Sequence, residues 1–188
     1  MLVIMVGLVG TGKSTIAAAV AQRYGMIVVS SDIVRKQLAG VAAGEHRYES
    51  FDRGIYTKDF SMKTYDAMFH QASGLLSKGK SVVLDASFRK VVERKQAQKL
   101  AKDRGARFLA IECVVSEIAT KERLDRRQSD GTSASDGRRE IYDAIKQDFE
   151  RIEELDPPEH LVVENAGPLD EVLKQTFRDL DKKLFTER

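Results

Sequence analysis

Gly7-Leu8-Val9-Gly10-Thr11-Gly12-Lys13-Ser14 fits the pattern G-x-x-x-x-G-K-[ST], and its flanks decide what the match means. Leu2 to Val6 is an unbroken apolar run that reads as a buried strand. Thr15 to Tyr24 is Ala-rich and reads as a helix that stops at Gly25. A strand that turns through glycines into a helix is the setting in which this P-loop pattern works: successive main-chain N–H groups and the helix N-terminus surround a phosphate with donors and positive dipole. The candidate nucleotide-binding residues are therefore Gly7, Gly10, Thr11, Gly12, Lys13, Ser14 and Thr15. Lys13 is expected to reach the β- and γ-phosphates and Ser14 to put its hydroxyl on Mg²⁺, so a nucleoside triphosphate and Mg²⁺ are the expected cofactors. The bland alternative is a glycine-rich turn that binds nothing.

Outward from this loop, the chain alternates. Met26 to Ser30, Ser81 to Leu84, Phe108 to Val115 and Leu161 to Glu164 read as further strands. They are apolar throughout and do not alternate with polar residues, as suits a parallel sheet covered on both faces. Helical patterns occupy Ser61 to Lys78, Val91 to Arg104, Glu117 to Arg127, Arg138 to Leu155 and Leu169 to Leu184, and a short helix follows the second strand. Gly25, Gly79 and Gly105 stand where left-handed helix ends belong. The β-α-β-α order predicts an α/β, doubly wound sheet whose ligands gather at the carboxyl ends of the strands.

With 188 residues and 42% hydrophobic content, the chain has enough apolar material for one such domain. Its 31 Lys and Arg against 29 Asp and Glu leave a net charge of +2, which argues against a long nucleic acid as partner. Cys113 is the single cysteine, so no internal disulfide forms, and a reducing, cytoplasmic location is expected. The first apolar run is too short for a bilayer and lacks a basic leader, so neither membrane anchor nor signal peptide is expected.

What stands opposite a bound γ-phosphate decides the chemistry. Asp32 lies just past the second strand, where a carboxylate is placed to accept a proton from an attacking hydroxyl, and Arg35 shares its side of a helix at i+3. Ser31 and Asp32 are equally good helix N-caps, and Arg35 is equally a solvated arginine. The third strand closes on Asp85 in Val82-Val83-Leu84-Asp85, an apolar run ending in an acid, the Walker-B shape that assigns Asp85 to Mg²⁺ beside Ser14; a strand-end cap is the alternative. Ser87 and Arg89 follow as acceptor contacts or surface groups. Arg123 and Arg127, four apart on one helix face, are candidates to close over a triphosphate ahead of Arg126, or else a basic helix end. Residues 40–59 and 128–137 break the rhythm, which suits a substrate clamp and a flexible lid loop, or plain surface loops.

With the P-loop, Ser31-Asp32-Ile33-Val34-Arg35-Lys36, Val82-Val83-Leu84-Asp85-Ala86-Ser87-Phe88 and Gly54-Ile55-Tyr56 together in view, the chain resembles the P-loop kinases. It is most similar to the AAA-type predicted kinase domains found alone or fused to aminoglycoside phosphotransferase-like domains, and more distantly similar to the kinase domain of polynucleotide kinase. The resemblance implies a three-layer P-loop NTPase fold: a five-stranded parallel sheet in the order 2-3-1-4-5, helices on both faces, a clamp over residues 40–59 and lid helices with their loop over 116–150. It implies transfer of the γ-phosphate of ATP to a hydroxyl; with the readings above, one domain spanning residues 1–188 has Lys13, Asp32, Arg35, Arg123 and Arg127 as its expected catalytic residues. By likeness to polynucleotide kinase, Asp32 matches the general base, Arg35 the residue that engages acceptor phosphate, and Arg127 a lid arginine. By likeness to adenylate-type kinases, adenine belongs near the lid helix and Asn165-Ala166-Gly167-Pro168. No D-x-D-G-T phosphatase segment, shikimate-kinase D-x-D or zinc-lid cysteines are present. A small-molecule hydroxyl acceptor is the leading expectation; a 5′-hydroxyl polynucleotide kinase and a nucleotide-binding regulatory ATPase are the alternatives.

Overall fold

The computed structural model describes residues 1–42, 54–130 and 139–185, with 127–130 and 140 described by their backbone alone. Five parallel strands form one sheet: β1 (Leu2–Val6), β2 (Ile27–Ser30), β3 (Val82–Asp85), β4 (Phe108–Val114) and β5 (His160–Glu164), in the order β2-β3-β1-β4-β5. This is the expected sheet and the expected order. The helices are α1 (Lys13–Tyr24), α2 (Ser31–Leu38), α3 (Lys58–Ser77), α4 (Val91–Asp103), α5 (Glu117–Asp130), α6 (Arg139–Asp148) and α7 (Leu169–Phe185).

β1 lies at the centre because it is apolar on both faces, and all five of its residues are buried. Leu2, Ile4 and Val6 face one core with Met68, Ala72, Leu84, Phe88 and Ala97. Val3 and Met5 face the other with Ile16, Val20, Leu109, Ile111 and Leu180. The alternation of side-chain direction along a strand thus divides one apolar run between two cores. Burying each of the larger apolar side chains among them, the alanines apart, contributes about 1.5–3 kcal/mol. In-register pairing of Val6 with Glu112 and of Ser30 with Asp85 brings the carboxyl ends of neighbouring strands to one rim of the sheet.

Several boundaries differ from the sequence reading. α1 starts at Lys13 rather than Thr15, because Gly12 itself acts as the N-cap residue. α3 begins at Lys58 within the stretch read as irregular; the Thr57 hydroxyl accepts from the Phe60 N–H at 3.3 Å, which starts the helix there. The expected helix over 138–155 ends at Asp148. Phe149, Ile152 and Leu155 have helical spacing and do pack on the core, but the backbone between them bonds elsewhere. The Glu150 N–H donates to the Arg89 carbonyl at 2.9 Å, and Arg94 Nη2 donates to the Arg151 carbonyl at 3.1 Å. Arg94 is fully buried and forms an ion pair with Glu154, and its Nη1 bonds the Phe88 carbonyl at 2.9 Å. It fastens the segment after α6 to the turn after β3.

Among the described residues no helix is long and apolar enough to cross a membrane. Of the expected clamp, residues 43–53 lie outside the described residues, as do 131–137 of the expected lid loop. Gly54–Tyr56 forms a 3₁₀ turn leading into α3.

Candidate active site

The loop between β1 and α1 is built around conformations that favour glycine: φ is 137° at Gly7, 82° at Gly10 and 86° at Gly12. Space forbids a side chain at two of them as firmly as the torsion does. A Cβ at Gly7 would stand 2.5 Å from the Cys113 carbonyl oxygen of β4, and one at Gly12 would stand 2.2 Å from Asn165 Nδ2. Inside the loop, Lys13 Nζ donates to the Leu8 carbonyl at 2.7 Å and Thr11 Oγ1 donates to the same oxygen at 2.8 Å. The lysine thus folds back across the loop it follows. The Thr11 side chain is turned inward, whereas Ser14 and Thr15 are exposed in the first turn of α1.

At the end of β3, Asp85 is 8% exposed and lies beside the Ser14 hydroxyl and the Lys13 ammonium. Burial pushes its carboxyl above the ordinary 3.8, against the opposing pull of that hydroxyl and of the Lys13 charge. A buried acid with a hydroxyl and an ammonium as neighbours is a suitable oxygen donor for a hard cation that also carries phosphates and water. Among the described residues no group of three or more His, Cys, Asp and Glu gathers to hold a metal, so any Mg²⁺ here depends on phosphate oxygens and water for most of its ligands.

β2 pairs with β3 and sets Ser30 beside Asp85, so the first turn of α2 rises next to the same rim. Asp32 sits in that turn with its side chain 26% exposed. Arg35 Nη1 is 4.0 Å from its carboxylate, a long contact one helical turn on. Arg35 is 8% exposed, its guanidinium carbon lies 4.7 Å from the centre of the Tyr56 ring, and its Nε has no hydrogen-bond partner among the described residues. A buried guanidinium N–H without an acceptor is costly, and a ligand oxygen in this corner would satisfy it. Tyr56 was not singled out as a functional candidate in the sequence, although it stands in the Gly54-Ile55-Tyr56 stretch.

α5 rests directly on the loop. Thr120 Cγ2 and Leu124 Cγ lie 2.9 and 3.0 Å from where a Gly10 Cβ would be. Arg123, half-buried, donates from Nη2 to the Asn165 backbone carbonyl at 2.7 Å, and Asn165 Nδ2 donates to the Thr11 carbonyl at 2.9 Å. Arg126 turns to solvent with its side chain 79% exposed, 3.9 Å from Glu122. The Arg127 side chain lies outside the described residues. Glu117 holds both Lys121 at 2.7 Å and Lys146 at 2.6 Å, joining α5 to α6, and these two ammonium groups lower its carboxyl to about 2. After β3, the Ser87 carbonyl accepts from the Gly7 N–H at 3.1 Å, while Arg89 pairs with Asp148 at 2.9 Å. Ser87 therefore braces the loop through its backbone, and Arg89 ties the turn after β3 to α6.

A family model described as an AAA domain matches residues 2–152. The chain belongs to that family. This AAA-domain chain is also similar, at 32% identity over 128 residues, to the uncharacterized protein Rv2004c of Mycobacterium tuberculosis; the match covers 67% of this chain and 25% of that protein. The matched part is thus about a quarter of the length of its curated relatives. Among solved structures, a sugar kinase from Janibacter sp. HTCC2649 superposes with a TM-score of 0.71 at 18% identity, over 96% of this chain and 94% of that one. Kti12 of Chaetomium thermophilum, solved in complex with ADP-AlF3, superposes with a TM-score of 0.68 at 15% identity, over 96% and 97%. The fold of the AAA-domain chain is that of the P-loop kinases.

Proposed function

We propose that this protein transfers the γ-phosphate of ATP to a hydroxyl group of a small molecule. The observation that carries the reading is the meeting of two sets of residues on one rim: Gly7 to Ser14 with Asp85, suited to a triphosphate and its cation, and Asp32 with Arg35, suited to an acceptor. The similarity to a sugar kinase supports a hydroxylated acceptor, and the similarity to a protein solved with ADP-AlF3 supports the nucleotide.

In this account the loop amides and Lys13 hold the β- and γ-phosphates, and Lys13 exchanges its bond to the Leu8 carbonyl for phosphate oxygens. The Ser14 hydroxyl and Asp85 would hold Mg²⁺, which would supply charge neutralisation on the phosphate oxygens. The acceptor oxygen forms a bond to the γ-phosphorus as the bond to the β-bridging oxygen breaks. Its proton passes to the Asp32 carboxylate, and ADP departs. Arg35 gives its unpartnered Nε–H to an acceptor oxygen, and the Tyr56 ring beside the guanidinium holds it in place. Arg123 and Arg127 on α5 neutralise charge on the transferring group, with residues 40–59 as clamp and 116–150 as lid.

The test is ADP release measured across a panel of sugars, polyols, nucleosides and aminocyclitols. An acceptor that stimulates turnover in the wild type should lose that stimulation by roughly 10²–10⁴-fold in Asp32→Asn while ATP affinity is retained. Equal turnover in the variant removes Asp32 from the role.

A further inference from the structure

Asn165 is the first residue past β5, and it is 6% exposed. Three bonds fix it: its N–H donates to the Val114 carbonyl at 2.9 Å, its own carbonyl takes Arg123 Nη2 at 2.7 Å, and its Nδ2 donates to the Thr11 carbonyl at 2.9 Å. The last bond spans 154 positions and lands in the middle of the phosphate loop. Peptide groups are planar and no cis bond occurs among the described residues, so the C=O of Thr11 and the N–H of Gly12 point in opposite directions from one plate. Holding the carbonyl toward Asn165 therefore turns the Gly12 N–H away from it. Gly12 is in the left-handed region with φ 86° and has no side chain to restrain it, so the bond from Asn165 is what limits turning of this peptide plane.

We propose that Asn165 is a positioning residue for phosphate binding: by gripping the Thr11 carbonyl it aims the Gly12 N–H at the phosphate chain. The inference rests on the triphosphate reading of the loop and adds a residue from the opposite end of the chain to it. Asn165 acts on the phosphates through the loop, and need not touch the base. Its carbonyl also carries Arg123, so one residue fixes both the loop and the arginine above it.

The experiment compares the wild type with Asn165→Ala and Asn165→Asp. Asp keeps the shape of the side chain but has no N–H to give when ionised. Each protein is titrated calorimetrically with magnesium tripolyphosphate, which lacks a base, and with MgATP, and the ATP kinetics are recorded once an acceptor is in hand. Both variants should bind both ligands about tenfold more weakly, the effect of one hydrogen bond to a preorganised loop, with KM for ATP raised in proportion and kcat within about twofold. Thermal melts of the same samples report folding, and if the Ala variant fails to fold, the Asp variant decides the matter.

Tripolyphosphate affinity that stays at the wild-type level in the folded variants overturns the inference. A loss confined to ATP also overturns it, because it makes Asn165 a contact to the base. A wild-type protein that binds neither ligand overturns the triphosphate reading, and the inference falls with it.

Discussion

Asp85, buried at the end of β3, stands beside the Ser14 hydroxyl of the first turn of α1, and these two groups are the proposed ligands of the cation. Burial raises the folded-state pKa of Asp85 above 3.8, so its contribution to stability is full below that value and is lost as the pH rises through the folded pKa. At neutral pH without ligand, Asp85 is therefore a stability cost. Asp85→Asn should raise the melting temperature of the ligand-free protein and flatten its pH dependence above pH 4. The same change should lower Mg²⁺-dependent turnover by about 10²-fold or more. A scanning melt and a steady-state assay on one preparation check both halves.

Gly12 should not tolerate a side chain. Its φ of 86° costs an alanine about 1–2 kcal/mol, and the new Cβ would stand 2.2 Å from Asn165 Nδ2. Gly12→Ala should lower stability to urea by about 1–2 kcal/mol and weaken nucleotide binding, because the methyl group displaces the Asn165 side chain from the loop.

Arg123 and Arg126 lie three residues apart on α5 and differ in surroundings: one bonds the Asn165 carbonyl, the other faces solvent. Arg123→Ala should reduce acceptor-dependent kcat by roughly 10–10³-fold, whereas Arg126→Ala should leave it within about twofold. Equal effects of the two substitutions would remove the distinction.

Arg94 is the buried cation that fastens the segment after α6 to the turn after β3, through Glu154 and the Phe88 and Arg151 carbonyls. Arg94→Ala leaves Glu154 and two carbonyls without their partner and should cost about 3–5 kcal/mol of stability in denaturant unfolding. Replacing the pair together, Arg94→Met with Glu154→Leu, should recover the share of that loss due to the unpaired Glu154 carboxylate, with the Phe88 and Arg151 carbonyls still lacking their donor.

The sheet was legible because β1 and β3 are apolar on both faces, and because Gly25, Gly79 and Gly105 mark helix ends that indeed adopt φ between 60° and 70°. The glycine-rich turn between β1 and α1 was legible because its left-handed conformations at Gly7, Gly10 and Gly12 are a property of the local backbone. Local patterns could not reveal the grip of Asn165 on Thr11, which joins residues at opposite ends of the chain. Arg94 sits in a helical pattern of mostly polar residues and gave no sign of being fully buried. Phe149, Ile152 and Leu155 misled for a related reason: their spacing satisfies a helix, and only the tertiary bonds to Arg89 and Arg94 make the segment run otherwise.

The most direct test of the account is a calorimetric titration of the purified protein with MgATP, alongside Lys13→Ala. Saturable one-to-one binding in the wild type, weakened at least tenfold in the variant, is the predicted result. A folded wild-type protein that gives no binding heat at several temperatures, with ATP or any other purine nucleoside triphosphate, would contradict it.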